Sequence, residues 1–369
     1  MGSAAAAQLA ARGFSVLGLD RFRPPHEMGS SHGESRIIRA AYFEDPVYVP
    51  MVLRAFDLWR KLEADSGAEL LQASGVLSLG RPESGVIAGS RRSAEIHQIP
   101  HRTLTADEIA TRFPALRPSV ETIGLLEPDG GILFPERCVL SQLELASQRG
   151  AELRFGEPVR SWKASEDSIE IKTDSGRFHA GRLIIAAGAW ASQLLSEPQI
   201  PLHAERQVSV WFQPNDPQRV QVGEFPVFLW EYESERLLYG VPDLGRGVKA
   251  ALHHQGTSST DADRTNRRVE PEESETIRSL LKRLAPAAAG PQQHASVCLY
   301  TNAPDHHFLI DFHPHSPRVL ILSPCSGHGF KFAPVVGELA ADLVSGEKPR
   351  FDLKRFRLSR FQADDRRSG

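Results

Sequence analysis

Three stretches of the 369-residue chain predict a two-domain α/β protein (α+β overall). SAAAAQLAARG (Ser3–Gly13) and then FSVLGLD put strong helix formers and a glycine stop before an apolar strand that ends in Asp20. RVLILSP, SGHGFKF (Ser326–Phe332) and APVVGELAA read in turn as strand, glycine turn and helix. Within residues 204–256, QVSVWF, FPVFLWEYE, RLLYGVP and VKAALHH have the pattern of an antiparallel sheet with turns between strands. The outer pieces predict a discontinuous Rossmann-like, dinucleotide-binding domain from 1–74, 134–202 and 293–360. The inner pieces predict a substrate-binding domain with a large, mainly antiparallel sheet from 75–133 and 203–292, and 361–369 is a tail.

Helix, strand and terminal acid form the second half of a βαβ unit, in which the acid takes a ribose hydroxyl. Met1-Gly2-Ser3 then reads as the end of a G-x-G-x-x-G run with Gly2 as its last glycine, and the first strand and glycines are expected upstream. An N-terminal helix feeding an edge strand is the plainer reading of the same residues. Residues 21–42 mix Pro, Gly and Ser with arginines and form a loop that runs into a helix or strand. A helix near Val49–Glu63, the strand GVLSLG (Gly75–Gly80), helices at Ser84–Ile96 and Thr105–Arg112 and the turn EPDGG (Glu127–Gly131) follow. Pro135 opens another helix; AELRFG and SIEIKTD are strands, and Leu183-Ile184-Ile185 reads as a buried parallel strand. AAGAW, with Gly188 at its centre, is a crossing of small residues that permits either a cofactor or close packing. After a polar linker at 256–274 comes a helix, ETIRSLLKRLAP. SVCLYTN, HFLIDFHP and RVLILSP then return the chain to the first domain.

Composition narrows the function. Hydrophobic residues at 41% supply full cores, while a net charge of -3, with basic residues clustered only in the Arg-rich, solvated tail after Asp352, gives no case for nucleic acid or an anionic membrane. Three cysteines make neither a disulfide framework nor a metal-ligand spacing, so a reducing compartment and no metal are expected. No apolar run reaches the ~18 residues of a membrane span, and the alanine-rich start lacks a basic n-region, which makes the cytoplasm the default.

Four groups of residues carry chemistry. Gly327 and Gly329 flank His328 and leave no side chain to hold a flat ligand off the backbone. The positive end of the next helix and Lys331 suit an anion at the same place, although a tight turn capping an ordinary helix satisfies the pattern too. Arg36 and Arg39, three apart, share one face of a helical turn and suit a carboxylate, or a surface salt bridge. Cys298 stands between apolar residues as a small hydrophobe or a nucleophile. Lys249 and His253, four apart in VKAALHH, share one face of a strand.

The runs GSSHGESRIIRAAYFED (29–45), LIIAAGAW, SVCLYTNAPDHHFLIDFHP and SGHGFKFAPVVGE, in that order, resemble the monomeric sarcosine oxidase family. The similarity extends over nearly the whole chain and is close to the pipecolate oxidase and N-methyltryptophan oxidase members. The resemblance implies a D-amino-acid-oxidase-like fold and FAD held through a cysteine sulfur, here Cys298. It implies that Arg39 and Lys331 clamp the substrate carboxylate and that Lys249 serves the flavin face where oxygen is reduced. His32, Arg36, Tyr239, His253 and Tyr300 would line the flavin and substrate pocket, and Asp20 would hold the ribose. Gly2, Gly188, Gly327, His328, Gly329 and Phe330 would complete the cofactor site. The implied reaction is oxidation of a small secondary amino acid such as sarcosine or pipecolate by a monomer, with hydride transfer to FAD, O2 as acceptor, and H2O2 and a hydrolysing imine as products. Two readings stand beside it: an FAD-dependent dehydrogenase of the same superfamily, and a truncated scaffold without cofactor. Cys325 stands where many relatives have another residue.

Overall fold

The computed structural model describes residues 1–195, 200–259 and 261–361, so of the expected tail only Phe361 falls within it. The helix Gly2–Ala11 is nearly all alanine on its inner side, which lets its backbone approach the helix Ala333–Ser345 closely. At the crossing, a Cβ on Gly337 would lie 2.6 Å from the backbone of Ala4, so no larger residue fits there without moving a helix.

Parallel strands on this side form two separate groups. Leu17–Asp20 pairs with Glu152–Phe155, and Leu183–Ile185 pairs with Val319–Ile321, whose strand also runs antiparallel to Leu309–His313. Among the described residues no ladder joins the two groups, and residues of both line a cavity of about 1230 Å³. Buried aromatics, among them Tyr42, Tyr48, Trp59, Phe308 and Phe332, fill the core beneath the helices.

The second layer is a nine-stranded sheet. Its centre runs from His203–Phe212 through Val248–His253, Arg236–Val241 and Val227–Glu233 to Val76–Gly80 and Ile123–Glu127. All these pairs are antiparallel except Val227–Glu233 with Val76–Gly80. The strand Gln292–Asn302 joins this sheet, pairing with His203–Phe212 from His203↔Asn302 to Phe212↔Gln292. The sequence pattern places residues from 293 with the dinucleotide-binding pieces. An apolar alternation does not say which sheet completes it, and the long ladder decides the matter.

Arg36–Ile38 is a strand, paired with Gly131–Leu133, and corrects the expectation of a helical turn. On a strand, residues three apart point to opposite sides. Arg39 directly follows the strand, and the two arginines have different partners, Cys298 Sγ for Arg36 and Glu44 for Arg39.

Candidate active site

The parity of the large sheet builds one wall of the cavity. Even-numbered Val210, Phe212, Phe228, Leu238, Val248 and Ala250 pack with Ile277, Leu281 and Leu284 of the helix Pro271–Leu284. Odd-numbered side chains therefore emerge on the other face. The registers Leu229↔Tyr239, Tyr239↔Ala251 and Ser209↔Ala251 make one row across it, and Leu237↔His253 with Gln207↔Cys298 makes the next. Tyr239, His253, Cys298 and Tyr300 all line the cavity. Lys249 and His253 do share the face that their spacing predicts.

The glycine turn closes directly on this wall. Gly327 has φ +75°, a conformation that L side chains rarely adopt, and a Cβ there would meet the rings of Tyr300 and His253 at 2.7 and 2.8 Å. A Cβ on Gly329 would lie 1.6 Å from the carbonyl oxygen of Pro324, so backbone contact alone demands glycine. His328 is clamped in this turn: its Nδ1 is 2.6 Å from the Tyr42 hydroxyl, and Phe308 stacks on its ring. Burial pushes the His328 pKa down to about 3, so the ring is neutral at physiological pH.

Lys331 points its charge into this buried place. Nζ donates to the His328 carbonyl at 2.8 Å and to the Tyr42 hydroxyl at 3.4 Å, and Trp59 Nε1 holds the Lys331 carbonyl at 2.8 Å. Burial, with Arg39 and Arg36 near, pushes its pKa down to about 7. Arg39 Nη1 donates to the Ala41 carbonyl at 2.8 Å, and Nη2 reaches Glu44 at 2.6 Å. Its guanidinium also lies 4.4 and 4.5 Å from the Tyr42 and Phe43 rings. For Glu44, burial raises the carboxyl pKa, but the Arg39 guanidinium bonded to it and the Lys331 ammonium outweigh that, and the net shift is down. Arg39, Glu44 and Lys331 all line the cavity, two cations against one carboxylate.

Arg36 serves the sulfur. Its Nη2 lies 3.8 Å from Cys298 Sγ and donates to the Ser30 carbonyl at 2.7 Å. Cys325 lines the same cavity, half-buried. Tyr300 OH meets His253 Nδ1 at 3.2 Å; burial pushes both tyrosines, 239 and 300, up and His253 well down, so all three are neutral near pH 7.

Two expected residues stand behind the wall instead of lining the cavity. Lys249 Nζ donates to the Gly33 carbonyl at 2.7 Å and to the Ser35 carbonyl and hydroxyl at 3.2 and 3.3 Å. An ammonium has three N–H donors, so this one is saturated. Burial and then Arg36 push its pKa down to about 7. His32 is buried next to the cavity-lining Ser31, and its Nε2 has no hydrogen-bond partner. At the far end, Gly2, Asp20 and Gly188 line the cavity too. Asp20 Oδ1 accepts from the Phe22 amide at 2.8 Å, and burial raises the carboxyl pKa.

These residues fit FAD. The cavity runs from Asp20 to the glycine turn, and its walls are small or glycine where backbone must come close. Glu44 is the residue of this site that motif reading passes over. It stands inside the run AAYFED, but nothing in a sequence says that a carboxylate five positions on will face Arg39. Among the described residues no group of three or more His, Cys, Asp or Glu could hold a metal ion, and no helix is long and apolar enough to cross a membrane.

The family model described as FAD dependent oxidoreductase (DAO) matches residues 1–343. The chain is 43% identical to a monomeric sarcosine oxidase of Streptomyces avermitilis over 353 residues, covering 93% of this chain and 91% of that one. It is 36% identical to the N-methyl-L-tryptophan oxidase of Salmonella typhimurium over 363 residues, 98% of this chain and 96% of that one. Among solved structures, the L-proline dehydrogenase of P. horikoshii superposes with a TM-score of 0.85 at 22% identity over 98% of this chain and 95% of that one. The glycine oxidase of Geobacillus kaustophilus gives 0.81 at 20%, over 97% and 95%. These two show a shared fold.

Proposed function

The chain belongs to the FAD dependent oxidoreductase family, and from that premise we propose that it is an oxidase of small secondary amino acids, such as sarcosine, pipecolate or another N-alkyl amino acid. The observation that carries this reading is that Arg39 and Lys331 line one cavity together with neutral His253, Tyr239 and Tyr300. Two cations fix a carboxylate, and Leu229, Leu237 and Tyr239 leave an apolar space for the rest of a small amino acid. Residues 1–74, 134–202 and the chain after 302 would hold the cofactor, and the large sheet would present the substrate wall.

Within that site each side chain has a task. Arg39 exchanges part of its bond to Glu44 for the substrate carboxylate, while Lys331 contributes its remaining N–H. Fixing the carboxylate places the carbon next to nitrogen in a near-attack position. The surrounding positive charge disfavours protonation of the amine, so the neutral form is the one held against neutral His253, Tyr239 and Tyr300. The end of the helix Ala333–Ser345 and Lys331 favour negative charge at the glycine turn. Cys298 would carry the covalent flavin link, with Arg36 beside the sulfur. Lys249, saturated behind the wall, would act on the oxygen side through its charge alone. Bound FAD supplies the hydride acceptor and the reduction of O2 to H2O2, and the imine product hydrolyses in water.

The test is the absorbance spectrum of protein supplied with FAD, before and after acid precipitation, together with peroxide release on sarcosine, L-pipecolate and N-methyl-L-tryptophan. Flavin bands in the acid pellet and peroxide from at least one substrate are expected. Anaerobic bleaching without peroxide in air identifies the dehydrogenase reading, and failure to retain flavin leaves the scaffold reading. A monomer in the cytoplasm is the remaining part of the proposal.

A further inference from the structure

A carboxylate outside the cavity ties the arginine of the clamp to the large sheet. Glu127 ends the strand Ile123–Glu127, opposite Val76, and is 2% exposed. One carboxylate oxygen accepts the Ala40 amide at 2.5 Å and the other accepts the Ala41 amide at 2.6 Å. Two successive backbone donors turned toward one carboxylate bend the chain directly after Arg39. The carbonyl of Ala41, the residue so held, is the acceptor of Arg39 Nη1 at 2.8 Å. A carboxylate belongs here because it offers an acceptor to each of two donors; a glutamine would turn its NH2 toward one of them. Burial works against the charge and raises the Glu127 pKa, opposed by the two amides and by Arg39.

We propose that Glu127 is the positioning residue of the carboxylate clamp: by fixing the Ala40–Ala41 backbone it sets, through the Ala41 carbonyl, where the Arg39 guanidinium meets the substrate. The proposal rests on the reading of Arg39 as a carboxylate ligand. It gives the EPDGG stretch a task beyond its turn, and it means that the sheet carrying the substrate wall also sets the distance to the clamp.

The experiment is calorimetric binding of methoxyacetate, which lacks an amine to oxidise, and of its neutral counterpart methoxyacetamide to the flavin-loaded protein. Wild type is expected to prefer the carboxylate. Glu127→Gln is expected to weaken methoxyacetate about tenfold, as the loss of a positioned charge-assisted contact would, and to leave methoxyacetamide within about twofold. Glu127→Asp, which keeps both acceptors on a shorter stem, should fall between and serves if the glutamine variant does not fold. In an Arg39→Gln background, Glu127→Gln should add no further loss. Equal weakening of both ligands, or of neither, overturns the positioning role. A wild type without preference for the carboxylate refutes the clamp itself and this assignment with it.

Discussion

Replacing Lys331 by methionine should stabilise the fold at acid pH while removing carboxylate binding. Lys331 is 6% exposed, and its pKa falls from 10.5 to about 7. That difference corresponds to roughly 4–5 kcal/mol against the charged form. The sign follows from proton binding. Below pH about 7 both folded and unfolded chains carry the proton, and the full burial cost lowers stability. Between about 7 and 10.5 only the unfolded chain holds it, so stability rises by roughly 1.4 kcal/mol per pH unit. Methionine has no such cost, but it forfeits the bonds to the His328 carbonyl and Tyr42 hydroxyl and the contact over the Tyr42 ring. Those losses together amount to roughly 2–3 kcal/mol. The variant should therefore be more stable than wild type by about 2 kcal/mol at pH 6, with the order reversed near pH 9.5. Denaturant midpoints for both proteins at the two pH values measure this, and Lys249 cancels because it is present in both. Calorimetry with methoxyacetate should show binding lost in the variant, with flavin content retained. A Lys331→Met protein less stable at pH 6, or a gap that does not change with pH, refutes the argument that the lysine is held at a cost for function.

Cys298→Ser should leave flavin removable by acid; yellow colour remaining in the pellet refutes Cys298 as the link. Lys249→Met should slow reoxidation by O2 while anaerobic reduction stays near the parent rate, and stopped-flow traces of the two half-reactions separate them. Gly329→Ala puts a Cβ 1.6 Å from the Pro324 carbonyl oxygen, so the turn must shift. A stability loss of roughly 3 kcal/mol or more, read from the thermal midpoint, is expected, and an unchanged midpoint contradicts the geometry of the turn.

Local periodicity carried much of this site in plain view. Lys249 and His253 fall on one face because strand spacing is even, and SGHGFKF announces a tight turn in which Gly329 packs against the Pro324 carbonyl. What the sequence hides is which distant segments meet. Glu127 reads as the first residue of a turn, and only the packing of residues 40–41 against the end of its strand shows that its two oxygens are occupied. Arg36 and Arg39 look like a helical pair because a period of three suits a helix. In the structure Arg36 opens a strand and Arg39 follows its end, and one reaches the sulfur and the other Glu44. The alternation in Gln292–Asn302 is likewise equally good in either sheet, and the ladder to His203–Phe212 is a non-local fact.

The two buried lysines show why geometry, and not pKa, assigns their roles. Both are pushed to about 7 by burial, so their titration would not tell them apart. Their donors do. Lys249 gives all three N–H groups to Gly33 and Ser35, and thereby ties the large sheet to the segment that leads into Arg36 and Arg39. It has no donor left for a ligand. Lys331 has two oxygen partners among the described residues and lines the cavity, which leaves one N–H without a partner among them. One lysine is therefore saturated behind the wall and the other unsaturated at its surface, which is the division of labour the proposed function uses. Glu44 then has a clear task, since without ligand it supplies the carboxylate that keeps Arg39 from standing as an unpaired buried cation.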